Sequence, residues 1–189
     1  MDIRELPGND AWDYGISLDK HVLYSVPVGE NAQGYMQFDT TRTAIGEAVF
    51  QLKYRDDYDL VDFLAESVAH AIQNVPVDVV LPMPASRQRT RQPVHAVAER
   101  VAQLLELEYC DQTLIKHSST VAMKDLATYE ERCAALQGCF ITHDKLHPCN
   151  ILLIDDLFDT GASLEAACTA LRGYASIRSI AVVTLTRRH

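Results

Sequence analysis

Ile151-Leu152-Leu153-Ile154-Asp155-Asp156-Leu157-Phe158-Asp159-Thr160-Gly161-Ala162-Ser163 is the stretch on which the fold turns. Its four opening apolar residues, β-branched at both ends, suit a strand covered on both faces, as in the parallel sheet of an α/β domain. Two carboxylates stop that strand. Thr160, Gly161 and Ser163 then bring small side chains and free backbone N–H groups to a helix start, where an anion binds favourably. The helix shows in Leu164, Ala167, Cys168 and Leu171 at i, i+3, i+4 and i+7, with Gly173 placed to end it. One turn thus offers acids beside a phosphate cradle. The matching ligand has vicinal hydroxyls near a phosphate, as a ribose 5-phosphate does.

Outward from this turn, strands and helices alternate. Residues 77–81 read as a short buried strand stopped by Pro82-Met83-Pro84, and the segment after it places Arg87, Arg89 and Arg91 at alternate positions. Beside a strand's carboxyl end those arginines suit a polyanion held through bidentate contacts, or else form a solvated basic loop. Val94, Val97, Ala98, Val101, Leu104 and Leu105 mark an amphipathic helix. A strand is expected at 113–116, a polar mobile loop at 117–126, a short helix at 130–136, and strands at 138–142 and 180–185.

Two further helices precede these, one on Ile45, Ala48, Val49 and Leu52, the other on Leu60, Phe63, Leu64, Val68, Ala71 and Ile72. The charged run Lys53-Tyr54-Arg55-Asp56-Asp57 between them reads as a solvated helix end. Residues 1–20, polar and broken by Pro7 and Gly8, are expected to form a loose leading segment, and 21–27 with 35–38 a hairpin outside the main sheet. The pattern predicts an α/β domain with a doubly wound, mostly parallel sheet and a small N-terminal hood or hairpin over residues 1–40, with the core at 41–189.

The 189 residues carry a net charge of −9, which argues against broad nucleic-acid binding through neutralised phosphates. Five scattered cysteines without a C-x-x-C pair read as free thiols. His143 and His147 lack a metal-binding frame, and no apolar run is long enough for a membrane span, so a cytoplasmic protein is expected. Nucleotide hydrolases also end an apolar strand in Asp-Asp, but they need a G-x-x-x-x-G-K-[ST] loop, which this sequence does not contain.

Residues 151–163 resemble the phosphoribosyl-pyrophosphate (PRPP) motif of type I phosphoribosyltransferases: an apolar run, two acids, then a Thr-Gly-x-Ser/Thr phosphate loop. Residues 41–187 resemble the competence-associated ComF branch through Leu52-Lys53-Tyr54-Arg55-Asp56, Pro82-Met83-Pro84 with the arginines after it, Glu131-Arg132, and Gly138-Cys139-Phe140. The resemblance implies Mg²⁺-dependent transfer of phosphoribosyl to a nitrogen nucleophile, a nucleobase or an amine, with release of pyrophosphate. It implies that Asp155 and Asp156 contact the ribose hydroxyls directly or through Mg²⁺, and that Asp159, Thr160, Gly161, Ala162 and Ser163 wrap the 5-phosphate. Met83, Pro84, Ala85, Ser86 and Arg87 would form the pyrophosphate loop, and 117–128 a catalytic hood. Asp159 before Thr-Gly resembles purine salvage enzymes, where that acid faces the base nitrogen as proton acceptor; a loop-capping role fits equally. Lys53 to Arg55 gain weight from the resemblance but no role.

The Cys-rich zinc spacing with which ComF proteins commonly begin does not occur here, and Arg91-Gln92-Pro93-Val94-His95 replaces their Arg-Gly-Phe-Asn-Gln. The acceptor site is therefore not marked. A non-catalytic PRPP or nucleotide sensor and a DNA-handling factor acting through a partner are the alternatives, and the superfamily often forms homodimers.

Overall fold

The computed structural model describes residues 1–7, 10–85, 89–117, 128–136, 138–142, 149–173 and 177–189. In chain order the elements are β1 (Arg4–Glu5), β2 (Tyr14–Lys20), β3 (Tyr24–Glu30), β4 (Met36–Thr41), α1 (Ala44–Tyr54), α2 (Val61–Ala71), β5 (Val79–Pro82), α3 (Pro93–Leu105), β6 (Glu108–Tyr109), β7 (Leu114–Lys116), α4 (Tyr129–Leu136), β8 (Phe140–Thr142), β9 (Cys149–Phe158), α5 (Ala162–Arg172) and β10 (Ile177–Arg187). Six strands form one sheet in the order β1-β2-β10-β9-β5-β6. All its pairs are parallel except β1 with β2.

Helices cover both faces, so the expected doubly wound α/β architecture holds. Strand β9 shows why. Leu152 and Ile154 enter a core with α1, α2 and α3, while Ile151 and Leu153 enter a second core with α5 and Leu136 of α4. A strand sandwiched this way needs apolar residues at successive positions, since neighbours point to opposite faces. Local chemistry sets the helix ends. Thr43 caps α1 by accepting from the Gly46 amide at 2.9 Å while its hydroxyl donates to the Lys20 carbonyl at 2.6 Å. Pro93 opens α3, and Glu106 closes it in the left-handed conformation.

Three features depart from the sequence pattern. Residues 14–20 are a largely buried strand of the main sheet, between β1 and β10, and not part of a loose segment. Ile16 and Leu18 fill one core, while the small residues Gly15 and Ser17 leave room on the other face, where Trp12 and Leu6 belong to the second core. A Cβ on Gly15 would stand 2.7 Å from Trp12 Nε1. Strands β7 and β8 pair antiparallel with each other, outside the main sheet. The two-residue β6 at the sheet edge was too short to show in the pattern.

The hairpin β3–β4 forms its own two-stranded sheet, near the expected bounds. Among the described residues no helix is long and apolar enough to cross a membrane. All five cysteines are free.

Candidate functional site

Strands β2, β10, β9 and β5 run parallel and end at one edge of the sheet. Pro82 lies opposite Ile154, and the Met83 amide donates to the Ile154 carbonyl at 2.8 Å, which sets the segment after β5 directly beside the two acids of β9. Alternation along the strand then sends Asp155 and Asp156 to opposite faces.

Asp156 meets α1. The Lys53 ammonium pairs with its carboxylate, and the Arg89 guanidinium donates to the Lys53 carbonyl. The Thr186 hydroxyl donates to the Asp156 carbonyl at 2.8 Å, fixing the backbone there. Burial disfavours the Lys53 charge, but the Asp156 carboxylate overrides that effect and raises the ammonium pKa above its ordinary value. Asp155 makes no ion pair among the described residues, although the Lys53 and Lys116 charges favour its ionised form. Its Oδ1 accepts the Asp156 amide at 2.8 Å, yet burial first, and the Asp156 charge second, push its pKa up to about 7.

These groups open into one cavity of about 380 Å³. Its lining includes Asp155, Asp156 and Ser163 from the acidic turn, Met83, Pro84 and Ala85 from the β5 end, and the cations Lys53, Arg89 and Lys116. Gln92, Pro93, Val94 and His95, at the N-terminus of α3, complete its wall. Burial lowers the His95 pKa despite the nearby Asp111 charge.

Helix α5 begins at Gly161, whose φ of +85° favours glycine and whose Cβ would stand 3.1 Å from Phe158 Cε2. No side chain caps this helix start, so among the described residues its first-turn N–H groups have no side-chain cap. Ala162 is buried and Thr160 exposed. Asp159 is held at 3.0 Å by Arg132 Nη1, with Arg188 Nη1 at 3.4 Å. It therefore ties α4 and the end of β10 to the turn.

The structure brings Met83, Pro84, Ala85, Asp155, Asp156 and Ser163 to one cavity; Asp159 faces two guanidinium groups instead. Ser86 and Arg87 lie outside the described residues, as does the 117–128 hood over 118–127. The two described members of the alternating arginines part ways: Arg89 reaches Lys53, whereas Arg91 stacks over the Tyr58 ring at 4.0 Å and accepts its hydroxyl through the Arg91 carbonyl at 2.7 Å. Lys53 had no role in the sequence pattern because its partner is 103 residues away. Lys116, His95, Arg132 and Arg188 were likewise unassigned. Only Lys53 and Arg132 fell in segments already singled out by resemblance.

No family model matches the chain, and no curated protein matches it. Among solved structures, the backbone is similar to adenine phosphoribosyltransferase from Thermoanaerobacter pseudethanolicus, at 14% identity over 88% of this chain and 95% of that one, with a TM-score of 0.45. It is also similar to the adenine phosphoribosyltransferase of Saccharomyces cerevisiae (15% identity, 86% and 83% of the two chains, TM-score 0.43). For the UMP synthase of Leishmania donovani the values are 13% identity and TM-score 0.41, over 82% of this chain but only 27% of that longer one. These likenesses concern the course of the backbone alone.

Proposed function

We propose that the chain is a type I phosphoribosyltransferase-like protein that binds PRPP with Mg²⁺ and transfers its phosphoribosyl group to a nitrogen nucleophile, releasing pyrophosphate. One observation carries this reading. A single cavity joins an acid pair, Ser163 in the first turn of the uncapped helix α5, and a cationic wall of Lys53, Arg89 and Lys116. Acids suit ribose hydroxyls, backbone N–H groups suit the 5-phosphate, and the cations suit pyrophosphate.

In this assignment Asp155 and Asp156 take the hydroxyls, and 159–163 wraps the 5-phosphate with Gly161 providing the turn. Residues 83–87 flank the pyrophosphate. Among the described residues no three acid, His or Cys side chains converge as a metal group. A divalent ion would therefore share the two carboxylates with substrate oxygens, as Mg²⁺ commonly does. The burial and neighbouring Asp156 charge that raise the Asp155 pKa suit such a cation. When bound, Mg²⁺ neutralises pyrophosphate charge. The two guanidinium groups on Asp159 support the loop-fastening role over the proton acceptor, since a base must reach its substrate.

With residues 14–20 in the main sheet, the part of 1–40 left to serve as an acceptor hood is the hairpin β3–β4; just before it, His21 lies 3.2 Å from the Thr186 hydroxyl that bonds to the Asp156 carbonyl. The ComF-like branch is the finer assignment and rests on residues 52–56 with 60–65, 82–84 with the arginines after them, and 131–132 with 138–140. A PRPP sensor is the second reading, favoured by the ion pair that already neutralises Asp156.

The test is pyrophosphate release with PRPP, Mg²⁺ and a panel of bases and amines. Turnover that disappears in Asp155→Asn/Asp156→Asn supports the enzyme. Saturable binding without turnover on any acceptor supports the sensor, and salt-dependent DNA binding without PRPP binding supports the DNA-handling factor.

A further inference from the structure

The hairpin β3–β4 stands apart from both cores. Every residue of β3 is exposed, as are residues 36–39 of β4. Large apolar side chains remain in water, among them Val28 at 63%, Tyr35 at 70% and Phe38 at 58% exposure, with Tyr24, Val26 and Met36 beside them. A lone two-stranded ribbon is marginally stable in water, and three or more strands are needed before a sheet holds by itself. Such a ribbon calls for a further strand.

Its two edges are not equivalent. Strand β3 carries Pro27, which has no N–H, and its pairing register shifts between Pro27 and Gly29, so that edge is blunted. Strand β4, Met36-Gln37-Phe38-Asp39-Thr40-Thr41, has no proline, no glycine and no lysine. Its outer edge is open to backbone pairing. The side chains along it are self-complementary. In an antiparallel pair of two β4 strands with the two-fold axis at Phe38, Phe38 meets its own copy, Asp39 faces Gln37, and Met36 faces Thr40. No like charges oppose one another, and the aromatic pair sits at the centre.

Charge argues for the same occupant. Residues 23–41 contain Glu30 and Asp39 but no Lys or Arg, so the arm has nothing with which to hold nucleic acid or an anionic bilayer. We propose that β4 pairs edge to edge with β4 of a second copy of this chain, giving a four-stranded sheet that links two protomers. Thr43 and Gly46 hold the base of the arm rigidly. Thr43 bonds to the Lys20 carbonyl, and a Cβ on Gly46 would stand 2.2 Å from the His21 carbonyl oxygen, so α1 packs directly on the arm's root. The proposal does not depend on the catalytic assignment.

Sedimentation and cross-linking test it. Wild type is expected to sediment at twice its 21.1 kDa mass at micromolar concentration. Met36→Lys/Phe38→Lys, which alters only exposed side chains, is expected to raise the dimer dissociation constant by about 30-fold or more. Phe38→Cys is expected to give a disulfide-linked dimer through exchange with oxidised glutathione, which wild type does not form. A monomeric wild type overturns the proposal, as does a dimer indifferent to the double lysine variant. Cross-linking through Ser25→Cys on β3 but not through Phe38→Cys overturns the edge assignment, and a monomer that binds neutral phosphatidylcholine vesicles through this arm assigns it to lipid instead.

Discussion

Acids stand at both ends of the same parallel sheet, and they are treated differently. At the N-terminal end, Asp13 accepts the Ile180 amide at 2.7 Å and pairs with Arg172, while Asp78 accepts the Asn150 backbone and side-chain amides at 2.7 and 2.8 Å. Burial opposes the Asp13 charge, but the Ile180 amide and Arg172 overcome it and lower its pKa. At the C-terminal end, Asp155 is crowded by burial and by Asp156, and its pKa rises to about 7. Acids at one end are used up in fastening loops to strands. At the other, a carboxylate is kept in an unfavourable place beside an open cavity. Stability alone gives no reason to keep it there, whereas ligand binding does.

The largest expected effect separates the two ends by function. Asp155→Asn/Asp156→Asn is expected to lower pyrophosphate release by about 10³-fold or more, roughly 4 kcal/mol of transition-state stabilisation. Asp13→Asn should leave turnover unchanged. Equal losses in the two variants would erase the contrast between the ends.

Next comes the turn joining the acids to α5. A valine at Gly161 must adopt φ of +85° and push against Phe158, so Gly161→Val is expected to cost about 2–3 kcal/mol. PRPP affinity should fall with it. A thermal shift assay with and without PRPP reads both effects, and an undiminished ligand shift would remove Gly161 from the phosphate turn.

The sign of the stability effects gives a sharper test. A folded-state pKa of about 7 for Asp155, against an ordinary value of 3.8, means that its contribution is fully present below pH 4 and is lost as pH rises through 7. Asp155→Asn is therefore expected to stabilise the free protein above pH 7 by about 1–2 kcal/mol, or roughly 4 °C in Tm, and to do nothing near pH 4. Destabilisation at pH 8 would contradict the crowding. Asp13→Asn should behave in the opposite way. With a lowered folded-state pKa, Asp13 contributes above pH 4 and loses its contribution as pH falls, and because the side chain is half exposed the cost at pH 8 is only about 0.5–1 kcal/mol. Chemical denaturation at the two pH values measures both.

Legibility in the sequence followed the range of the interactions. The β9–α5 unit was readable because its apolar run, its glycine and its helical period are consecutive. Strand β2 was not, since Gly15 and Ser17 look polar until Trp12 and Leu6 are seen to share the core on their side. The acid pair announced itself and Arg89 stood among the alternating arginines, but Lys53 on α1 and Lys116 on a separate ribbon did not stand out, and only folding brings them to one cavity. Asp159 shows the reverse case. Its local motif left both a base and a cap open, and the groups that bear on that choice, Arg132 and Arg188, are distant in sequence.

Calorimetric titration of PRPP in the presence of Mg²⁺ tests the central claim most directly. Wild type is expected to bind saturably at one site per chain, with affinity at least about 100-fold weaker in Asp155→Asn/Asp156→Asn. No binding to wild type, or equal binding to both proteins, would contradict the assignment of the acid pair and the α5 turn as a PRPP site.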